Sequence, residues 1–168
     1  EIPFHVVNFI DFYHQEIVRP MIQGYADGIT PNPDILCNRK MKFGALMKYA
    51  KNHEFEALAT GHYCRKTLGK DGQVQLLEGI DKNKDQSYFL AQISKEQLNY
   101  ALFPLGEMHK EDVRILAEKI RLPVAKKKDS QGICFLGKVK VPQFLSNFID
   151  DQPGEIVTTR GKVVGRHQ

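Results

Sequence analysis

Cysteine is scarce in this chain of 168 residues: there are three, an odd number, and no Cys-x-x-Cys pair. That excludes a disulfide scaffold. It also leaves zinc poorly supported, because His5, His14, His53, His62, His109 and His167 are scattered rather than closely paired. The thiols are expected to be free, metal-bound or catalytic, in a reducing compartment. No run of about 18 apolar residues occurs, so no membrane-spanning helix is expected. No basic-then-apolar leader opens the chain, and there is no internal repeat or low-complexity tract. What remains is ordinary for a folded domain: 42% hydrophobic and 26% charged residues exclude a disordered or collagen-like chain. Glu1 to Val7 reads as a strand already in progress, and Gly165 to Gln168 follows a short strand pattern. Both ends are therefore read as cut, leaving the middle of a longer protein.

The net charge of +4 is unevenly spread. Between Asp34 and Asn52, Arg39, Lys40, Lys42, Lys48 and Lys51 face a single acid, Asp34. Between Ala117 and Lys140, Lys119, Arg121, Lys126, Lys127, Lys128, Lys138 and Lys140 face Glu118 and Asp129. Each basic segment holds a cysteine, Cys37 or Cys134. Such surfaces suit a polyanion through counterion release, although either segment alone is also what a solvated lysine face looks like.

Hydrophobic periodicity gives the elements. Phe4 to Val7 suits a buried strand. Phe9, Phe12, Tyr13 and Ile17 make a helical face with Asn8 as cap, kinked or restarted at Pro20 and ended by Gly24 or Gly28. Gly28 to Asn38 reads as loop. Phe43, Leu46, Met47 and Ala50 predict a second helix. Ala57 to Thr60 is a short strand ending at Gly61-His62, and Tyr63 to Leu68 with Gln73 to Glu78 predict a hairpin. Gly79 to Gln86 is a polar loop. Ser94 and Gln97 form a capping box, and Met108 to Arg121 is a helix stopped by Pro123, with Val113, Leu116, Ala117 and Ile120 on its face. Ala125 to Gly137 is loop, Phe144 to Phe148 a short helix, and Glu155 to Thr159 with Lys162 to Val164 a last hairpin. Strands alternating with helices predict an α/β fold, with a parallel sheet and helices on its faces.

In such sheets ligands sit at the carboxyl ends of strands. Gly61 occupies that place, and its missing side chain would let a nucleotide approach the backbone, although a lone strand-end glycine is more often a simple turn. Cys37 follows a proline-stiffened loop and precedes a basic helix, a setting that lowers a thiol pKa. Asp34, three residues earlier, shares its helical face. The carboxylate could move a proton, but its charge opposes thiolate, so its role is expected toward the substrate. Cys134 follows Lys126-Lys127-Lys128, which should favour thiolate there too, and Gly132 should allow its loop to move. Cys64 reads as a buried small hydrophobe.

Four stretches in order, Asn32 to Asn38, Thr60 to Tyr63, Asp81 to Leu90 and Lys126 to Phe135, closely resemble the tRNA-specific 2-thiouridylases. The resemblance covers nearly the whole chain. It implies ATP-dependent sulfur transfer to carbon 2 of the wobble uridine of tRNA. ATP, expected with Mg2+, adenylates the carbonyl oxygen so that AMP leaves, and a cysteine persulfide supplies sulfur. By motif match, Cys134 is the persulfide carrier, Cys37 the nucleophile that attacks it or pairs with it in a disulfide, and Asp34 the acid/base. Asn32, Pro33 and Asp34 match target-base contacts, Gly61 an ATP contact, and His62, Lys84, Asp85 and Gln86 tRNA contacts. The resemblance also implies a Rossmann-like, adenine nucleotide alpha hydrolase-like sheet. Residues 1–138 would be the C-terminal portion of an ATP pyrophosphatase-type catalytic domain and 139–168 the start of a small central domain. A sulfur donor, either a cysteine desulfurase or a relay protein, is an implied partner, and the cytoplasm or a mitochondrial matrix the implied compartment. The family's Ser-Gly-Gly-x-Asp-Ser pyrophosphate loop and its C-terminal barrel do not occur in this sequence, so this stretch alone is expected to be inactive. Three alternatives stay open. Cys37, Cys134 and Asp34 could hold an iron–sulfur cluster. The chain could be a non-catalytic RNA-binding domain, or Cys37 and Cys134 could be a thiol redox pair.

Overall fold

The structure is a computed structural model that describes residues 2–128, 134 and 140–167. Asn8 accepts the Ile10 N–H at 2.9 Å and opens the first helical rod. The rod runs through α1 (Ile10–Tyr13), a wider π-type stretch (His14–Val18) and α2 (Arg19–Ala26). Pro20 was expected to kink or restart the helix, and a new α segment does begin there, with Pro20 in its first turn. Proline has no N–H to donate and its ring crowds the carbonyl four residues back; the π-type turn just before it widens the helix at that point. Gly28, at φ +74°, then ends the rod, with Ile29 N–H closing onto the Gly24 carbonyl at 2.8 Å.

The second rod starts earlier than periodicity suggests, inside the expected Gly28 to Asn38 loop. The Asn32 side chain accepts from the N–H groups of Asp34 (3.1 Å) and Ile35 (3.2 Å). Pro33 takes the first helical position, where a missing N–H costs nothing. The rod comprises α3 (Pro33–Leu36), a π-type stretch (Cys37–Leu46) and α4 (Met47–Asn52). Gly44 fits its wide turn: a Cβ there would lie 3.1 Å from the Arg39 carbonyl, five residues back.

Two apolar clusters fix the rods. Tyr13, Ile17, Val18, Cys37 and Met41 join rod to rod, and Phe43, Cys64, Leu90 and Ala101 join the second rod to the strands. Fully buried side chains such as Ile17 and Phe43 contribute about 1.5–3 kcal/mol each. Strand β1 (Leu58–Ala59) pairs parallel with a later strand, Ala101–Leu102, and Thr60 N–H extends the ladder to the Leu102 carbonyl at 3.0 Å. Between them come the predicted antiparallel hairpin, β2 (Cys64–Leu68) and β3 (Val74–Glu78), a 3₁₀ turn (Ser87–Leu90) and α5 (Lys95–Tyr100). The strand Ala101–Leu102 is β4. Helices α6 (Lys110–Lys119) and α7 (Val141–Leu145) and a second hairpin, β5 (Gly154–Val157) with β6 (Val163–His167), follow. The class is mixed α/β with a parallel pair and flanking helices, as expected.

Two further expectations fail. Phe4 to Val7 forms no strand; Ile2, Phe4 and Val6 lie exposed, because among the described residues no strand offers them a ladder. Helix α6 forms, but Leu116 and Ile120 on its expected inner face are 46% and 57% exposed, so periodicity there marks a face that no described element covers. Among the described residues no helix is long and apolar enough to cross a membrane.

The capping box expected at Ser94 is present, with Ser94 Oγ accepting the Gln97 N–H at 3.1 Å and Gln97 Oε1 accepting the Ser94 N–H at 2.8 Å. Gln97 also donates to the Phe43 carbonyl at 2.8 Å, tying α5 to the second rod. Ser94→Ala is expected to lower stability by about 1 kcal/mol with an unchanged urea m-value, read from equilibrium unfolding of the full-length protein.

Candidate active site

Asp34, Cys37, Asn38 and Met41 share one side of the second rod. Asn38 Nδ2 donates to the Asp34 carbonyl at 2.9 Å, holding the passage from α to π geometry. Cys37 is fully buried against Tyr13, Ile17 and Met41, and Cys134 packs on the same cluster. The two thiols, remote in sequence, meet here. The Cys134 thiol lies beside both the Cys37 sulfur and the Asp34 carboxylate, either of which can take its one hydrogen bond, and the carboxylate accepts the Cys134 backbone N–H at 3.3 Å. The Tyr13 hydroxyl donates to the Cys134 carbonyl. All three cysteines are free thiols.

The pair is asymmetric. The hydrogen bond from Cys134 lowers the Cys37 pKa, and Lys42 lowers it further, against burial and the Asp34 charge. Cys134 goes the other way: donation to Cys37, burial and Asp34 hold its proton on. This corrects the expectation that both thiols favour thiolate. Asp34, expected to act toward the substrate, also lies against Cys134 and accepts its backbone N–H. Lys126, Lys127 and Lys128 lie exposed. The expected pivot Gly132 and the rest of the 129–133 segment lie outside the described residues, as do Phe135 and Lys138. A sulfur with a lowered pKa beside a partner that keeps its proton suits thiol–disulfide and persulfide exchange.

Gly61 ends β1 exposed. A Cβ there would meet only Leu105 Cδ1, at 4.0 Å, and its φ is not left-handed. Neither packing nor backbone strain demands a glycine, and the open space suits an approaching nucleotide. His62 is buried. Its Nδ1 pairs with Thr60 Oγ1 at 2.8 Å, and its ring lies 6.2 Å from Phe43 and 6.3 Å from Phe103. Burial, with Lys42 adding, pushes its pKa down to about 4, so the ring is neutral near pH 7. Lys42 thus acts electrostatically on both thiols and on the strand end.

Lys84 is exposed on its loop, but Asp85 and Gln86 work inside the fold. Asp85 accepts from Gly79 N–H (2.8 Å) and Ser87 Oγ (2.7 Å), and Gln86 Oε1 from Tyr63 N–H (3.1 Å). The loop therefore leads rigidly into the 3₁₀ turn Ser87–Leu90, which packs against α3. Asn32 and Pro33 build the cap beneath Asp34. Of the first basic segment, Arg39 reaches Gln92 (3.5 Å), Lys40 pairs with Glu16 (2.6 Å) and Lys51 with Glu96 (2.7 Å), so much of that charge serves the fold. Cys64 is buried as expected, its thiol pushed up to about 12 by burial and Asp85. Among the described residues, no three His, Cys, Asp or Glu side chains are grouped to hold a metal ion.

Residue types missed at the sequence level are Tyr13, which looked like helix-face packing, and Lys42, which looked like one more surface lysine. A wide helical turn, invisible to a 3.6-residue period, is what aligns Lys42 with Cys37.

A parallel strand pair flanked by helical rods, with a glycine just beyond its carboxyl edge, defines an α/β domain. Residues 1–138 match the tRNA methyl transferase HUP domain, and the chain belongs to that family. A HUP-type domain is consistent with binding an adenine nucleotide. The chain is 51% identical over 166 residues to the tRNA-specific 2-thiouridylase MnmA of Akkermansia muciniphila, covering 99% of this chain and 46% of that protein. It is 52% identical over 167 residues to the protein of the same name from Pasteurella multocida (99% and 43%). With that of Pseudomonas aeruginosa PAO1 it is 49% identical over 166 residues (99% and 44%). The chain thus spans a little under half the length of these relatives.

Two outcomes follow. Cys134→Ala is expected to raise the Cys37 pKa toward its ordinary value of 9.0, by removing the strongest lowering contact, whereas Cys64→Ala leaves it in place; ultraviolet thiolate absorbance against pH reads both. For His62, the unfolded chain takes its proton near 6.5 and the folded ring only near about 4, so stability is lost as pH falls through that window. The loss amounts to at most roughly 3 kcal/mol, and His62→Gln should flatten it in denaturation midpoints.

Proposed function

We propose that the whole protein containing this chain is a tRNA 2-thiouridylase, transferring sulfur to carbon 2 of the wobble uridine in a reaction that consumes ATP. The observation that carries this is the contact between a protonated Cys134 and a thiolate-leaning Cys37 beside Asp34. The names of the relatives supply the substrate class. In this reading residues 1–138 belong to the catalytic domain and 139–168 begin a small central domain, in keeping with the separate β5–β6 hairpin.

An amide-like carbonyl oxygen is a poor leaving group, so ATP, with Mg2+, is used to convert it into AMP. Gly61 gives the nucleotide backbone access. Asn32, Pro33 and Asp34 receive the target base, and His62 is a neutral neighbour for a base rather than a cation for a phosphate. Lys84 faces the tRNA, with Asp85 and Gln86 shaping its loop. A cysteine desulfurase or relay protein loads Cys134 with one sulfur as a persulfide. Its terminal sulfur bonds to carbon 2 as AMP departs. The Cys37 thiolate then attacks the Cys134 sulfur. The S–S bond to the transferred sulfur breaks, its electron pair leaves with the thiouridine, and a Cys37–Cys134 disulfide remains for an external thiol to reduce. A disulfide that must be reduced between turnovers suits a reducing compartment, the cytoplasm or a mitochondrial matrix.

In the full-length protein, Cys37→Ser and Cys134→Ser should each lower 2-thiouridine formation on the order of 100-fold or more, while tRNA affinity stays within about threefold. Mass spectrometry of digested tRNA and filter binding read the two. Normal product with either serine would overturn the proposal; lost binding with intact chemistry would point to an RNA-binding role alone.

A further inference from the structure

Cys134 lies far from Cys37 in sequence, yet its backbone is held at both of its polar groups. Its N–H meets the Asp34 carboxylate at 3.3 Å, and its carbonyl accepts from the Tyr13 hydroxyl. Tyr13 comes from the other helical rod. It is buried, packed with Ile17, Val18, Cys37 and Met41, so its ring cannot swing freely. A buried phenol ordinarily satisfies its hydroxyl, and here the partner is the one residue whose side chain must face Cys37. With the N–H and the carbonyl of one residue fixed, the direction of its Cα–Cβ bond is fixed too.

We propose that Tyr13 is a positioning residue for the sulfur pair: its hydroxyl and the Asp34 carboxylate clamp the Cys134 backbone from opposite rods, so that the Cys134 sulfur is aimed at Cys37. This rests on the sulfur-transfer reading of the same site. The phenol stays a donor throughout the working pH range, because burial and the neighbouring Cys37, Cys134 and Asp34 raise its pKa. Tyr13 contributes orientation rather than a proton: no bond to sulfur is made or broken at the phenol. The clamp raises the effective concentration of one thiol toward the other.

The test uses the full-length protein without tRNA or ATP, equilibrated against reduced and oxidised glutathione. One oxidised glutathione takes two electrons from the pair, giving the Cys37–Cys134 disulfide and two reduced glutathiones, so the equilibrium constant measures effective concentration. Tyr13→Phe keeps the ring and removes the hydroxyl; it should lower that constant roughly fivefold. Ile17→Val, which loosens the same packing without touching Cys134, should leave it unchanged. In thiolation assays Tyr13→Phe should lower kcat with KM for tRNA unaltered. An unchanged glutathione equilibrium in folded Tyr13→Phe, or an equal fall in Ile17→Val, would overturn the clamp. Failure of the sulfur-transfer reading itself would appear elsewhere, as normal thiouridine from the cysteine variants, and the glutathione result stands apart from it.

Discussion

The proton shared between Cys134 and Cys37 sets the character of the site. A buried thiolate is costly because burial opposes charge, and Cys37 is fully buried. The donated hydrogen bond and the Lys42 ammonium offset that cost, while Asp34, on the same helical face, works against it. Asp34 is kept close nonetheless because it secures Cys134, raising the partner's pKa as it does so. The result is one sulfur ready to attack and one ready to be attacked, with the difference written into their neighbours and not into the residues themselves. Everything larger in the fold serves to bring two helical rods and one distant loop residue to that point.

Several of the residues proposed to meet substrate also hold the fold. Asn32 caps the second rod and Asn38 secures its change of pitch, so the segment that presents Asp34 and Cys37 is fixed from both sides. Asp85 and Gln86 hold the loop that bears Lys84 by bonding back to Gly79 and Tyr63. A substitution at any of these positions perturbs geometry before it perturbs recognition, which is why binding and folding readouts must be kept apart when the motif is dissected.

What could be read in the sequence was what is decided locally. The Gly69–Gly72 hairpin, the Ser94–Gln97 capping box and the short strand ending at Gly61 depend on neighbours in the chain and appear where expected. The thiols with Asp34 were legible as chemistry because their motifs are distinctive. Misread features depend on partners that periodicity cannot name. Phe4 to Val7 has strand composition but no described strand to pair with. Leu116 and Ile120 have the spacing of a buried face without a covering element. Tyr13 looked like packing because its hydroxyl's partner lies beyond a hundred intervening residues. The start of the second rod was missed because Asn32-Pro33 resembles loop chemistry until Asn32 is seen to accept two helical N–H groups.

The wide turn that runs from Cys37 to Leu46 has a consequence for how this segment can change. A π-type stretch accommodates more residues per revolution than an α-helix, so its azimuths are counted differently. Removing a single amino acid between Cys37 and Phe43 would let the helix relax to the tighter winding and rotate everything downstream. Lys42 would then leave the sulfurs and Phe43 would leave His62. The length of this short run therefore sets which side chains face Cys37 and His62, independently of what those side chains are.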